Sequence, residues 1–429
     1  MKINLQGLEY FLLSIGIFTD VRIEPLVMLL AVLLVAQRGG RIAVNRNILL
    51  GFAVLALWSL AAIFAVGYTP WKFVQQFVLL FYFFVAYHIL FSNNRTRIDE
   101  VFGMYLRVAY VLCWLGLLQF AVMYATGYDL FFIFKERDLS DFTVLDTGQI
   151  TRVSSICAEP ANFARVITPA LGYYLFLDTR TRAQRIRFAV IAAAFILTFG
   201  TMSYVVAFLM VAYKYLVLKK NTVVRVVSAV LAAVTAAFIA QVIFAPQEQN
   251  TPSGESPSAL ADISMKIRDV GEGLGDFSPE AIETLNLSSY ATLMNVWVAF
   301  NAPNRLTGTG LGTHEQNYQA VYQSNAERYG LNMQEGYALV NRLYSELGLA
   351  GILLFAFFLY KCHNKTNIVN VCVFFALLTV TFRGGHYTRY GTVFFLFMYY
   401  YTSRYALRRS AREEGCVKNI TSDAVDKND

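Results

Sequence analysis

The chain has 429 residues, of which 56% are hydrophobic and only 15% charged, and its formal net charge is +7. Soluble domains use roughly 25% charged residues, so this deficit and a mean hydropathy of +0.46 count against a soluble enzyme. The cations lie beside long apolar runs and form no basic stripe interleaved with aromatics, so the positive balance reflects membrane topology and no nucleic-acid partner is expected.

The apolar runs, in order, are Leu5–Thr19, Pro25–Gln37, Ile48–Gly67, Phe73–Phe91, Val101–Tyr124, Ala161–Leu177, Phe188–Gly200, Met202–Leu218, Val226–Phe244, Leu347–Tyr360, Ile368–Phe382 and Thr392–Tyr405. Several fall short of the ~20 residues a straight span needs, so tilted, broken or re-entrant pieces are expected. An early Lys2 precedes the run Leu8–Phe18, but no small-residue cleavage pattern follows, so the first span is expected to be retained. Basic clusters recur between the runs: Arg38/Arg41/Arg46, Arg95/Arg97, Arg180/Arg182/Arg185/Arg187, Lys214/Lys219/Lys220/Arg225, Lys361/Lys365 and Arg404/Arg408/Arg409. Lys and Arg mark cytoplasmic loops, so these clusters should share one face. A single crossing over Phe188–Leu218 would split two of them, and two short spans meeting near Gly200 fit better. The consistent architecture is an all-α polytopic membrane protein with about twelve transmembrane helices and both termini cytoplasmic.

Four segments follow: an N-terminal membrane bundle over 1–245, a large extracytoplasmic loop over 246–345, C-terminal membrane helices over 346–407, and a polar tail over 408–429 expected to be cytoplasmic and disordered. Within the loop, Pro246–Pro257 reads as irregular. Ser278-Pro279-Glu280 is a helix start, with a hydroxyl cap, a first-turn Pro and an acid at the positive dipole end. A helix from there to Phe300 would align Leu285, Leu293, Val296, Trp297 and Phe300, and Ala302-Pro303 would end it. Five Cys, at 113, 157, 362, 372 and 416, show neither metal-ligand spacing nor a disulfide framework.

Two stretches carry a family likeness. Arg152-Val153-Ser154-Ser155-Ile156-Cys157-Ala158-Glu159-Pro160 leads into a span from the outer side; Glu and Pro are also ordinary helix starters there. Downstream, Asn304-Arg305-Leu306-Thr307-Gly308-Thr309-Gly310-Leu311-Gly312 precedes His314, and the loop closes with Asn341-Arg342-Leu343-Tyr344-Ser345-Glu346-Leu347-Gly348-Leu349-Ala350-Gly351. Their order and placement resemble the Wzy-type O-antigen, capsule and exopolysaccharide polymerases, which are related to the O-antigen ligases. The chain departs from that pattern in lacking an Arg ahead of Trp297 and in carrying Arg165 inside a span.

The resemblance implies a GT-C-like fold and a glycosyltransferase. It would move a glycan from a polyprenyl-pyrophosphate carrier to a lipid-linked repeat unit, on the outer face of the bacterial cytoplasmic membrane. A flippase and a chain-length regulator are the implied partners, with no cofactor. Such chemistry needs cations for the leaving pyrophosphate and a base for the acceptor hydroxyl. Arg152, Arg305, Arg342, Arg383 and Arg389 fall near predicted outer edges, where they either bind the diphosphate or anchor spans and pair with carboxylates. Arg165 sits roughly 9 Å inside its span, where an Arg faces the bundle or a wet cavity, to bind pyrophosphate or to pair with a buried acid. Gly308, Gly310 and Gly312 form either an ordinary turn or a nest of N–H groups for phosphate. By likeness to the ligases, His314 is the first candidate base, and Glu159 is the second or an orienting partner. No Asp-x-Asp lies on the outer face, so no metal is expected. Asp20 and Glu24 keep polyprenyl-phosphate-sugar glycosyltransferases as an enzymatic rival. The rival of another class is a lipid-linked oligosaccharide flippase, which should show related halves and no large ordered loop.

Overall fold

The computed structural model describes residues 5–19, 46–92, 97–131, 152–218 and 268–403 apart from 327, 385 and 390, with the single positions 26, 29, 32, 33 and 222. The runs Pro25–Gln37 (save four of those positions) and Val226–Phe244, the acids Asp20 and Glu24, the stretch Pro246–Pro257 and the tail from Arg408 lie outside the described residues. Among the described residues the structure is helical, with no strand. The helices are α1 (Leu5–Thr19), α2 (Arg46–Val66), α3 (Trp71–Ser92), α4 (Ile98–Thr126), α5 (Pro160–Phe176), α6 (Arg182–Ile196), α7 (Thr201–Tyr213, continued by a π-helical turn, Lys214–Leu218), α8 (Pro279–Glu283), α9 (Leu287–Asn301), α10 (His314–Val321), α11 (Leu339–Cys362), α12 (Ile368–Phe382) and α13 (Thr392–Tyr401).

Four of these, α2, α3, α4 and α11, are long and apolar enough to cross a membrane, and α7, α12 and α13 are apolar but shorter. Among the described residues that is fewer than the twelve spans read from the apolar runs. Leu50, Leu57 and Phe64 on α2 are each more than 60% exposed at seven-residue spacing, and Leu353, Phe357 and Tyr360 give α11 a similar outer stripe. Each such side chain is worth about 1.5–3 kcal/mol on leaving water, which gives these faces an apolar surrounding rather than an aqueous one.

Helix α5 is the centre of the bundle, packing on α1, α4, α6, α7 and α12 and buried almost all round. Pro160 opens it at the first turn, where a missing N–H costs nothing. Pro169 removes the N–H that would serve the carbonyl of Arg165, and the Tyr105 hydroxyl donates to the next carbonyl, that of Val166. The stretch Phe188–Leu218 is broken at residues 197–200, where Phe199 takes φ 47°. Arg180 and Arg185 at the start of α6 and Lys214 at the end of α7 line one shared cavity. The described members Arg180, Arg185 and Lys214 of two basic clusters therefore lie at the same end of the bundle, as the charge rule requires.

The described part of the large loop, from residue 268 to α11, forms a cap with its own apolar core of Ile282, Leu285, Tyr290, Leu293, Met294, Val298, Tyr318 and Tyr322. Ser278 does start a helix, its Oγ accepting from the N–H of Ala281, but the helix expected to run on to Phe300 is two pieces. Asn286 restarts it by accepting from the N–H of Ser289 at 3.0 Å, while its own backbone N–H donates to Asp269 Oδ2 at 3.1 Å. An Asn side chain in this position competes for backbone donors and caps a new helix.

Helix α11 is broken within its length at Gly348, which takes φ 66° and ψ −165°. That region is open essentially to glycine alone. A Cβ there would stand 2.4 Å from the backbone of Leu306. Beyond the break, the N–H groups of Leu349 and Ala350 donate to the carbonyls of Arg305 and Leu306, at 2.9 and 3.1 Å, so the 304–312 turn takes over as hydrogen-bond partner. Gly348→Ala is expected to cost at least about 2–3 kcal/mol from the conformation alone. Thermal unfolding of the detergent-purified protein reads it; an unchanged midpoint would mean that α11 runs unbroken.

Candidate functional site

The first piece of α11 carries the charged heart of the site. Arg342 and Glu346 are one helical turn apart on the same face, and both are buried. Arg342 Nε and Nη2 each donate to Glu346 Oε1 at 3.0 Å. The other carboxylate oxygen accepts from the Tyr387 hydroxyl at 2.7 Å and from the N–H of Gly312 at 2.9 Å. The Arg342 guanidinium also lies 4.4 Å over the Tyr387 ring, a cation–π contact. Desolvation, and then the charge of Glu346, raise the Tyr387 phenol well above its ordinary value, so it stays a donor.

His314 opens α10 directly behind this pair. Its Nε2 lies 3.1 Å from Asn295 Oδ1 and its Nδ1 2.7 Å from Ser345 Oγ. The Asn295 amide nitrogen is taken by the carbonyls of Ala291 and Leu331, so its oxygen must face the imidazole. That assigns the ring proton to Nε2 and makes Nδ1 the acceptor of the Ser345 hydroxyl. Burial first, and the charge of Arg342 second, push the imidazole down to about 3. Gly336 leaves room for the ring, since a Cβ there would stand 2.5 Å from Arg342 Cγ and 3.1 Å from His314 Nε2. The first candidate base is thus a neutral histidine engaged at both ring nitrogens, and it fixes α9 and α10 against α11.

Beside this core the loop between α12 and α13 brings in further arginines. Arg165, 2% exposed, donates from Nη1 to the Gly384 carbonyl at 3.3 Å. Gly384 is required there, because a Cβ would stand 1.6 Å from that nitrogen. The Gly384 N–H donates in turn to the carbonyl of Tyr337 at 2.8 Å, and Arg383 lies 4.2 Å over the Tyr337 ring. Arg389 forms an ion pair with Glu335. Desolvation pushes the Arg383 guanidinium down, and the charges of Glu159 and Glu335 oppose that shift. Glu159 caps α5 by position without a side-chain cap hydrogen bond. Arg165, Arg342, Arg383, Arg389, Glu159 and His314 are thereby gathered at one end of the bundle.

Other expected members go elsewhere. Arg152 donates to the carbonyls of Thr198 and Phe199 at 3.0 and 3.4 Å, serving the break between α6 and α7. The Arg305 side chain is exposed, and its carbonyl meets α11. The glycines do not form a phosphate nest: the N–H groups of Gly308, Gly310 and Gly312 donate to Asn304 O, Glu346 O and Glu346 Oε2. Their positive φ values and lack of Cβ let the turn touch backbone on both sides. A Cβ on Gly308 would stand 2.3 Å from Glu346, and one on Gly310 2.6 Å from the Ser59 carbonyl of α2. Missed from the sequence were Glu335, Tyr337, Gly384 and Tyr387, and Asn295 and Ser345 as partners of His314. Only the Arg342–Glu346 spacing carried a signal for its pairing.

Two measurements probe this geometry. Removing one partner of a buried ion pair costs about 3–5 kcal/mol, and replacing both by apolar groups costs far less. Glu346→Leu is expected to lose that much in thermal unfolding, and Arg342→Met with Glu346→Leu to recover part of it; a neutral single variant would mean the pair is hydrated. His314 supplies a pH dependence. An unfolded histidine titrates near 6.5, whereas the folded one takes no proton until about 3. The unfolded state therefore binds more protons between these values, so the stability held by His314 is complete above pH ~6.5 and lost as pH falls toward 3, up to about tenfold in the opening equilibrium per pH unit. Hydrogen exchange of α9 and α10 between pH 7.5 and 5 should show this loss in the wild type and not in His314→Gln. Equal pH dependence in both would refute a buried neutral imidazole.

No protein-family model matches the chain, and no curated protein matches it.

Proposed function

We propose that the chain is a polysaccharide polymerase of the GT-C-like kind, acting at the outer face of a bacterial cytoplasmic membrane, with about twelve spans and both termini in the cytoplasm. Its donor is a glycan on a polyprenyl-pyrophosphate carrier and its acceptor a lipid-linked repeat unit, supplied by a flippase and measured by a chain-length regulator. The observation that carries the reading is the convergence of Arg165, Arg383 and Arg389 around the end of α5 that bears Glu159. Fixed guanidinium groups in a partly desolvated site suit a leaving group that gains negative charge.

In the proposed step the bond between the sugar anomeric carbon and the pyrophosphate oxygen breaks, and the electron pair leaves with the diphosphate. The acceptor hydroxyl oxygen bonds to the same carbon, and its proton passes to Glu159. Arg165, Arg383 and Arg389 stabilise the departing charge. Arg342 keeps Glu346 neutralised, and His314 holds the cap in register. Arg152 acts at one remove, by holding the α6–α7 break beside the start of α5.

The test uses full-length protein in proteoliposomes with polyprenyl-pyrophosphate-linked repeat units. A ladder of products is expected; a single transfer to a non-repeat acceptor would assign a ligase instead. Arg383→Ala should lower transfer by about 10²–10³-fold, the usual loss for one donor to a developing oxyanion. Glu159→Gln should retain the donor and fail to turn it over. Full activity in both variants would remove this cluster from the reaction.

A further inference from the structure

At the other end of α5, about 25 Å from Glu159 along a seventeen-residue helix, lies a second cationic feature that the transfer reaction does not use. The last carbonyls of α5 lack helical partners, and two cations serve them. Arg180 donates to the carbonyls of Tyr174 and Leu175, and Lys214 to those of Leu175 and Leu177. Arg180 is also held 4.4 Å over the Phe188 ring. Lys214 is buried, and it begins the π-helical turn that ends α7. Such turns are rare and often mark functional positions.

These groups do not close over the helix end. They line a surface-open cavity of about 590 Å³, to which Arg185 adds a third cation and Asp178 a single carboxylate. The cavity is therefore cationic, and two of its three positive groups are locked in place before anything binds. Leu175, Leu177, Phe188 and Tyr215 line the same cavity, and Tyr215 is 37% exposed. Fixed cations with apolar side chains lining the same cavity suit a ligand with an anionic head and an apolar body. The charge rule assigns this end to the cytoplasmic side, where anionic lipids concentrate and basic pockets between helices take their headgroups.

We propose that this cavity binds the phosphate diester headgroup of an anionic phospholipid in the inner leaflet, with Arg180, Arg185 and Lys214 around the phosphate. A free phosphate ion shares the same charge chemistry but makes no use of the apolar residues. Because Arg180 and Lys214 also hold the end of α5, their variants risk unfolding, and exposed Arg185 is the position to change.

The test is native mass spectrometry of full-length, detergent-purified protein with phosphatidylglycerol, phosphatidylcholine or inorganic phosphate added separately. The expected result is one phosphatidylglycerol retained in preference to phosphatidylcholine. Retention should weaken about fivefold in Arg185→Ala and about thirtyfold in Arg185→Glu, at roughly the strength of one interfacial charge per step. Thermal unfolding of each variant without lipid confirms that it is folded. Retention unchanged in Arg185→Glu, or equal retention of the two lipids, would overturn the proposal. Inorganic phosphate displacing phosphatidylglycerol at equal concentration would overturn the lipid as its source.

Discussion

The carboxylate of Glu346 holds three separate parts of the chain together. It is fully buried, and an unpaired charge there would cost several kcal/mol. Its partners come from its own helix (Arg342), from the glycine turn (Gly312) and from the loop between α12 and α13 (Tyr387). None of the three can withdraw without leaving the carboxylate short of a donor. The break at Gly348 follows from the same packing, because the glycine turn crosses α11 at backbone contact and an intact helix would occupy that space. The cap is then seated on α11 by His314, and on the hairpin of α2 and α3 by the Lys72–Glu315 ion pair at 2.8 Å and by Trp58 Nε1 donating to the Thr307 carbonyl.

This arrangement explains how a site is built where helices end. Arg165 is carried into the bundle by a central helix whose hydrogen bonding Pro169 has already loosened. Its guanidinium reaches the loop after α12 only because Gly384 has no side chain. Arg383 and Arg389 reach the same place from that loop and share Glu335 from the segment before α11. Among the described residues, Arg165, Arg342, Arg383 and Arg389 thus meet three carboxylates, Glu159, Glu335 and Glu346, leaving a positive excess of one.

What was legible in the sequence was what is written locally. The charge clusters beside α6 and α7 told which ends lie together, because Lys and Arg segregation needs no knowledge of packing. The Ser278-Pro279-Glu280 start was legible because caps act within one turn. The restart at Asn286 rests on an equally local cap, accepting from the N–H of Ser289, and was hidden by apolar spacing that runs on to Phe300. The glycine turn showed its flexibility but not its purpose, because the backbone it touches belongs to α11, α2 and α3. By likeness to the ligases, His314 was the first candidate base. Its neutral state is set by burial first and the charge of Arg342 second, which lie outside its local sequence. Among the outer arginines, residue type alone did not separate Arg383, inside the cluster, from Arg305, on the surface.

The central claim is that Arg165, Arg383 and Arg389 form a diphosphate site. Its most direct measurement is the equilibrium binding of farnesyl diphosphate, a short polyprenyl diphosphate, to the purified full-length protein by isothermal titration calorimetry. Arg165→Ala, Arg383→Ala and Arg389→Ala are expected each to weaken binding by about tenfold or more, since a charge-assisted hydrogen bond is worth about 1.5–3 kcal/mol, while Arg305→Ala leaves it unchanged. Equal affinity in all four variants and the wild type, or a loss confined to Arg305→Ala, would contradict it.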